Sequence, residues 1–203
     1  MVNDVVKPPR LVVGISGASG VIYGVKLLQK LKTLGVESHV VLSRAAEMTL
    51  GYETAFKPAD VRSFATASYA IGDIGAPIAS GSFRTLGMII APCSIKTMSE
   101  IATGVTSSLL SRAADVVLKE RRRLVLMVRE TPLHAGHLKT MLALAEMGAV
   151  IAPPVPAFYA EPKTVEDLID QTIGRMLDLF GLDLPETRRW GETAGPRPPS
   201  NGP

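Results

Sequence analysis

Residues 11–20 read LVVGISGASG, an apolar run that leads directly into a turn of small residues. The apolar run lacks helical spacing and is typical of a short buried strand. Residues 21–34 carry apolar side chains at helical spacing as far as Gly35, which predicts a helix that ends there. A second apolar run at 39–42 and a predicted helix from 45 to about 52 follow. This strand–turn–helix order predicts the opening of a doubly wound parallel sheet.

The same alternation returns after a loop-rich excursion at 54–85, in which one helix is predicted at 59–64. The later predicted elements are strands at 87–91, 124–128 and 149–152, helices at 108–120, 138–147 and 165–180, and a further helical region before the break at Thr103. Together they predict an α/β fold of the Rossmann-like type, with a doubly wound parallel sheet. We expect a single domain over residues 1–192 and a tail rich in proline and glycine at 193–203.

Composition excludes several classes of protein. The 203 residues are 46% hydrophobic and 20% charged, which suits a folded domain with a full core. A net charge of +3 with 5% aromatic residues does not give the basic, aromatic-interleaved surface of a nucleic-acid binder. Cys93 is the only cysteine and there are three histidines, so we expect no disulfide and no metal site. The sequence has no apolar run of about 18 residues, which predicts no membrane segment and a cytoplasmic location.

Two segments at predicted strand ends suit an anion. Residues 14–20 (GISGASG) follow the first strand, where backbone N–H groups and a helix start can approach a phosphate. Their GxxGxxG spacing departs from the GxGxxG pattern of dinucleotide-binding proteins. The alternative to an anion site is a tight turn packed with small residues. Residues 92–97 (PCSIKT) follow another buried strand and offer hydroxyl and N–H groups in the same way. Cys93 in this segment is predicted to be buried and inert.

Charged side chains follow the strand predicted at 124–128. Arg129 and Glu130 come directly after it, where parallel sheets bind their ligands. Arginine matches phosphate, and a neighbouring carboxyl group can exchange a proton with it. Arg112 and Lys119 complete this candidate group, with a surface ion-pair network as the alternative.

Two further features are less specific. The basic run 121–123 is assigned to a solvated surface or a subunit contact. Tyr159 follows a proline-rich loop, and its spacing does not decide between binding a phosphate and capping the core.

Taken together, these segments resemble the UbiX-type flavin prenyltransferases, a group within the HFCD-type flavin-binding proteins. The resemblance covers residues 10–192 and leans toward the branch associated with hydroxyarylic acid decarboxylase systems. The matching stretches are SGASG (16–20), ASGS (79–82), APCSIKT (91–97), SRAADVVLKERR (111–122), LVLMVRETPL (124–133), HLKTML (137–142), PAFY (156–159), VEDLID (165–170) and RRWGE (188–192), together with Ser43 and Glu53.

The resemblance implies a flavin-binding domain that adds a prenyl group to reduced FMN. FMN would be held by Gly17, Ala18, Ser19, Ser43, Ser94, Ile95, Lys96, Thr97 and Arg129. The phosphate of dimethylallyl monophosphate would be held by Ser80, Arg112, Lys119, Tyr159 and Arg175, together with Glu130. In this family N5 of the flavin attacks the allylic carbon, phosphate leaves, and a second bond at C6 closes a fourth ring.

The resemblance also implies roles and partners. Glu130 would donate a proton to the departing phosphate, while Ser19 and Glu53 would relay the proton lost from the flavin. The product would pass to a UbiD-type decarboxylase. Family members are typically homododecamers with the site at a subunit junction, where Tyr159, Arg175 and the segment around Trp190 would act. Ile74 stands where some relatives carry a tryptophan near the prenyl group.

Three alternatives compete with this interpretation. An FMN-dependent cysteine decarboxylase of the same fold would need an early catalytic histidine and a PASANT-type motif, whereas His39 lies inside a predicted strand. An NAD-dependent Rossmann enzyme is disfavoured because no acidic residue follows the second strand at Ser43. The alternative that stays open is an FMN-carrying, non-catalytic subunit of a hydroxyarylic acid decarboxylase complex.

Overall fold

The computed structural model describes residues 8–195, and its centre is a sheet of six strands in the order β3-β2-β1-β4-β5-β6. Every neighbouring pair is parallel. The strands are β1 (Arg10–Ile15), β2 (Glu37–Leu42), β3 (Ala67–Tyr69), β4 (Gly87–Cys93), β5 (Arg123–Val128) and β6 (Val150–Ile151). An all-parallel sheet in an alternating α/β chain confirms the predicted fold class.

Seven α-helices are present in the described residues. They are α1 (Val21–Thr33), α2 (Arg44–Glu53), α3 (Pro58–Phe64), α4 (Ile95–Ala102), α5 (Leu109–Lys119), α6 (Ala135–Glu146) and α7 (Val165–Asp178). Four of them begin at a hydroxyl side chain that accepts the N–H three residues on: Ser43, Ser94, Ser108 and Thr164. Gly35, with φ of 68°, follows the end of α1 as the sequence predicts.

Helices cover both faces of the central strands, as the side chains along β1 demonstrate. A Cβ added at Gly14 would lie 3.4 Å from Cγ of Leu110 in α5. A Cβ added at Gly24 in α1 would lie 2.7 Å from Cδ1 of Ile15, the next residue of the strand. Successive residues of a strand point to opposite faces, so α1 and α5 lie on opposite sides of the sheet. The doubly wound arrangement follows from this placement.

The short strand β3 is not predicted from the sequence. It has three residues, none of them fully buried, and lies in the stretch expected to be loop-rich. Its approach to β2 depends on a reciprocal contact: the Ser38 N–H donates to Oγ1 of Thr66 at 3.1 Å, and the Thr66 N–H donates to Oγ of Ser38 at 3.3 Å. Three residues are too few for an alternating pattern to be recognised.

The chain divides into two compact units between Pro153 and Pro154. The first contains the sheet with α1–α6, and the second contains α7. Within the second unit, Gln171 of α7 accepts the N–H of Arg188 at 3.0 Å and donates to the carbonyl of the same residue at 2.8 Å. The prediction of one domain over 1–192 stays a prediction, and residues 196–203 of the predicted tail lie outside the described residues. No helix among the described residues is long and apolar enough to cross a membrane.

Candidate functional site

The strand order places a crevice beside β1. This strand lies between β2 and β4. The strands that follow β1 in sequence first extend the sheet on one side of it, with β2 and β3, and then on the other, with β4, β5 and β6. Open parallel sheets form their ligand crevice outside the carboxyl ends of the strands at such a switch point. A cleft of about 560 Å³ lies there, lined by Gly17, Ser43, Arg44, Ala45, Ile71, Ser94, Ile95, Lys96, Thr97, Glu100, Ser107, Ser108, Leu110 and Glu130.

Two helices begin at the cleft, and serine caps both of them. Oγ of Ser43 at the start of α2 and Oγ of Ser94 at the start of α4 accept the N–H of the third following residue, at 3.0 and 3.3 Å. The other N–H groups of each first turn and the positive end of each helix dipole favour an anion. Arg44 and Lys96 add two cationic side chains to the lining. The donor set therefore fits a ligand that carries a phosphate group.

Gly17 lies against the first turn of α2. A Cβ added at this glycine would be 2.2 Å from Cβ of Ala45, a distance that real Cβ atoms do not tolerate. The turn after β1 therefore needs a residue without a side chain at this position in order to lie beside α2. Gly17 and Ala45 both line the cleft, so this close approach shapes its wall.

Glu53 lies at the glycine-rich turn, although it is 33 residues away from Gly20 in the sequence. Its carboxylate accepts the N–H of Gly20 at 2.8 Å and of Val21 at 3.3 Å, at the start of α1. The chain itself thus supplies an anion to the first turn of this helix, where the sequence suggested a place for a ligand. Ser19 is exposed in the same turn and Ala18 is half-buried.

Arg129 and Glu130 follow β5 as predicted. The backbone N–H of Arg129 donates to the carbonyl of Cys93 at 3.1 Å, which joins the ends of β5 and β4. Glu130 lines the cleft, and its Oε1 accepts the N–H of Thr131 at 3.0 Å. The Arg129 side chain is exposed and is not part of the cleft lining.

Cys93 is fully buried, which confirms the predicted burial. Burial raises the pKa of its thiol well above the ordinary value, because the thiolate would lose its hydration. A thiol held in this state is a poor nucleophile.

A second cluster is formed by the loop after Ala79 and the end of α5. Nζ of Lys119 lies 2.7 Å from Oε1 of Glu120, and a Cβ at Gly81 would lie 3.0 Å from the same Nζ. The hydrogen bond and the charge of Lys119 lower the pKa of the Glu120 carboxyl. Oγ of Ser80 lies 2.9 Å from Oγ of Ser82 in this loop. The structure therefore brings the predicted residues Ser80 and Lys119 to one place, outside the cleft lining.

Arg122 departs from the prediction for the basic run. Its guanidinium donates to the carbonyls of Gly81 at 2.6 Å and Phe83 at 2.7 Å, and 17% of its side chain is exposed. It holds the loop of the second cluster, so a solvated surface does not describe this residue. The alternative of a subunit contact stays a prediction.

Arg112 lies on the same helix as Lys119, seven residues earlier. Residues at this spacing lie on one side of a helix, two turns apart. Nη1 of Arg112 pairs with Asp115 at 2.8 Å. Both cations are thus on one row of α5, and neither is part of the cleft lining.

Tyr159 and Arg175 belong to the second unit and are described within it. The Tyr159 ring meets the Trp190 ring edge to face, with centroids 5.6 Å apart, and its hydroxyl lies 3.5 Å from Nε2 of Gln171. Arg175, on α7, pairs with Asp178 at 2.5 Å.

Several residues that line the cleft are not among those predicted from the sequence. Ser107 and Ser108 precede α5, and Oγ of Ser107 donates to Oε1 of Glu100 at 3.1 Å. Lys96 lies 3.6 Å from the same Glu100 oxygen. The serine pair before an amphipathic helix is a capping signal that could have identified them. Glu100 lies within a helix and has no such signal. In the part of the chain from 8 to 195, no group of three or more histidine, cysteine, aspartate or glutamate residues could hold a metal ion.

The fold and the cleft define the class: an α/β protein with a cleft suited to a phosphate-bearing ligand at the switch point of a parallel sheet. The protein-family model described as Flavoprotein matches residues 3–177. The flavin prenyltransferase UbiX of Escherichia coli strain K12 is 58% identical over 184 residues, which cover 89% of this chain and 97% of that protein.

Two solved structures are also similar. A UbiX crystallised with FMN and dimethylallyl pyrophosphate has a TM-score of 0.89 and 53% identity, and the match covers 91% of this chain and 98% of that one. A dodecameric FMN-dependent UbiX-like decarboxylase from Escherichia coli O157:H7 has a TM-score of 0.87 and 49% identity, covering 89% and 98%. The chain belongs to the Flavoprotein family and, within it, to the UbiX-type flavin prenyltransferases.

Proposed function

We propose that this chain transfers a dimethylallyl group from dimethylallyl monophosphate to N5 and C6 of reduced FMN. The observation that carries this proposal is the cleft itself, to which segments following four different strands contribute Gly17, Ser43, the turn at 94–97 and Glu130. These are residues that the family resemblance assigns to the flavin and to proton transfer. Relatives at more than half identity are named flavin prenyltransferases.

The flavin would be bound by the two serine-capped turns and the glycine-rich turn. Ser43, Ser94 and the N–H groups that follow them supply donors for its phosphate, with Ile95, Lys96 and Thr97 alongside. Ala18, Ser19 and Arg129 are included in this proposal on the family resemblance. Reduced FMN would supply the nucleophile, and the protein would bind and orient it.

The allylic phosphate would be held by the cations of α5 and the loop beside them. An allylic ester ionises more readily when its leaving charge is stabilised, so a cationic group with one proton donor is sufficient. Arg112, Lys119 and Ser80 supply the first part of that group. Tyr159 and Arg175 are included in this proposal on the family resemblance.

Two carboxyl groups have separate roles in this proposal. Glu130 would give a proton to the departing phosphate, since it lines the cleft directly after β5. Glu53 would act at the glycine-rich turn, where it already accepts two N–H groups, and would receive a proton through Ser19. The non-catalytic FMN-carrying subunit is not favoured, because the similar proteins are named for the transferase activity.

The product would be delivered to a UbiD-type decarboxylase in the cytoplasm.

The chain would assemble as a homododecamer. Support for self-assembly comes from α6, in which Leu144 is the one buried residue of twelve. Leu138 and Leu142, one turn apart on this helix, are 53% and 60% exposed. A solved relative at 49% identity is dodecameric. Exposed apolar rows of this kind are suited to contact a second copy.

The decisive test is the reaction itself. The purified chain is incubated without oxygen with reduced FMN and dimethylallyl monophosphate, and the flavin is analysed by mass spectrometry. We expect a flavin heavier by one dimethylallyl group. A parallel reaction with the pyrophosphate identifies the preferred donor. FMN that binds tightly but stays unmodified with both donors would contradict the proposal and favour the carrier subunit.

A further inference from the structure

The Ser16 hydroxyl joins the two strands at the switch point. The regular pairing of β1 with β4 ends at Gly14 and Ile90. Beyond that point, Oγ of Ser16 donates to the carbonyl of Pro92 at 2.9 Å and accepts the N–H of Ser94 at 2.7 Å. The backbone N–H of Ser16 also donates to Pro92, at 3.2 Å. The side chain is fully buried.

This hydroxyl connects the two turns that line the cleft. Gly17 follows Ser16 directly, and Ser94 is the N-cap of α4. A hydroxyl has one hydrogen to donate and lone pairs to accept with, and Ser16 uses both functions toward the same opposing turn. Without it, the N–H of Ser94 would lose its acceptor at the point where the chain enters the helix.

We propose that Ser16 is a positioning residue, which fixes the glycine-rich turn against the turn at Ser94 and thereby sets the affinity of the cleft for FMN. The inference rests on the proposed function, since it concerns how the same cleft holds its flavin. Ser16 does not need to touch the flavin to act in this way. Its effect is on the separation of two sets of donors that must bind one ligand together.

Ser38 provides a matched control in the neighbouring strand. It is 1% exposed, and its Oγ accepts one backbone N–H, from Thr66, at 3.3 Å. It lies near the start of β2, at the amino end of the strand, whereas the cleft lies beyond the carboxyl ends. Ser38→Ala therefore removes a buried hydroxyl that also accepts a backbone N–H, but does so away from the cleft.

The test compares Ser16→Ala, Ser16→Thr and Ser38→Ala with the unaltered chain. For each protein, FMN affinity is measured by quenching of flavin fluorescence, and the melting temperature and the hydrogen exchange of the Ser94 amide are recorded. We expect Ser16→Ala to weaken FMN binding about tenfold and to speed exchange at Ser94. Its turnover at saturating FMN should stay within about threefold of the unaltered chain, so the loss appears in KM. Ser38→Ala should lower the melting temperature and keep the FMN affinity.

Ser16→Thr keeps the hydroxyl and should retain FMN affinity to within about threefold. If the alanine variant fails to fold, a loss of FMN affinity of about tenfold or more in a folded Ser16→Thr would overturn the inference, because the hydroxyl is retained. Equal affinities in Ser16→Ala and the unaltered chain would overturn the inference and leave the proposed function intact. A loss of affinity in Ser38→Ala as large as in Ser16→Ala would also overturn it, since stability alone would then explain the effect. An unaltered chain that binds no FMN would overturn both.

Discussion

At the residue scale, Glu53 illustrates how far the sequence can be interpreted. It ends α2 and is exposed, so its position along the chain suggests a surface carboxylate. The hydrogen bonds from Gly20 and Val21 instead place it at the start of another helix. Only the family resemblance pointed to this region. Ser16 was missed for a similar reason: within a run of small residues, nothing distinguishes the serine that faces a neighbouring strand.

Glu130 is predicted to be required for turnover and not for flavin binding. Glu130→Gln keeps the size of the side chain and its oxygen acceptor but cannot donate the proton of a carboxylic acid. We expect turnover to fall by a factor of about 10²–10⁴, with FMN affinity retained. Turnover is measured as prenylated flavin formed per minute under anaerobic conditions, and affinity by fluorescence quenching.

Glu146→Gln is the matched control, since Glu146 is an exposed carboxylate at the end of α6. It should leave both quantities unchanged. Turnover by Glu130→Gln close to that of the unaltered chain would remove Glu130 from the mechanism.

At the element scale, the contact between the glycine-rich turn and α2 makes a prediction about two residues together. Gly17→Ala places its Cβ 2.2 Å from Cβ of Ala45, so the turn or the helix must shift. We expect the free energy of unfolding to fall by about 1–3 kcal/mol, and FMN affinity to fall with it. Urea denaturation measures the first and fluorescence quenching the second.

The companion experiment introduces Gly17→Ala into a protein that already carries Ala45→Gly. The nearest remaining atoms of residue 45 would be its backbone C and Cα, at 3.0 and 3.1 Å, so the most severe contact is removed while two tight contacts remain. Gly17→Ala should cost at least about 0.5 kcal/mol less in this background than in the unaltered chain. Additive effects of the two substitutions would refute the proposed clash.

The pairing of β2 with β3 carries a prediction about pH. Burial lowers the pKa of His39 below its ordinary value, and the charge of Arg10 lowers it further against a smaller opposing effect of Glu37. Nδ1 of His39 lies 2.8 Å from the Tyr69 hydroxyl, and Nε2 has no partner among the described residues. The folded protein therefore keeps this histidine neutral at a pH where the unfolded chain binds a proton.

It follows that the free energy of unfolding falls as the pH drops below about 6.5, the pKa of an unperturbed histidine. The stability associated with a neutral His39 is fully present above that pH. It is lost as the pH falls toward the lowered pKa of this histidine in the folded state. We expect the urea midpoint to fall less in His39→Gln than in the unaltered chain between about pH 7.5 and pH 5.5. Parallel curves for the two proteins would contradict the prediction.

The elements themselves were largely predictable, because strands and helices of ordinary length carry a clear apolar period. The end of α1 at Gly35 followed from a known capping residue. The serines at the starts of α2 and α4 are capping residues of the usual kind, but the sequence prediction placed the start of α2 at residue 45. What could not be predicted was pairing over long distances in the sequence. The strand β3 depends on the contact between Ser38 and Thr66. The guanidinium of Arg122 binds the carbonyls of Gly81 and Phe83. Local sequence patterns do not indicate either contact, because the partners are far apart in the chain.

At the scale of the whole molecule, the exposed row on α6 predicts how assembly can be disrupted. The double variant Leu138→Asp with Leu142→Asp places two charges where we propose that a second copy packs. We expect a smaller particle by size-exclusion chromatography with light scattering, with little change in circular dichroism. Lys139→Asp changes a charge on the same helix outside that row and should keep the assembly. An unchanged mass for the double variant would exclude this surface.

The order of the strands also has a consequence for biosynthesis. The turns at Gly17 and Ser43 leave the ribosome well before the segment at Ser94, which β4 must first bring alongside β1. On the proposed function, a nascent chain that stops short of β4 would offer only part of the flavin-binding surface. Capture of the coenzyme would then have to follow the pairing of the central strand β1 with its second neighbour, β4.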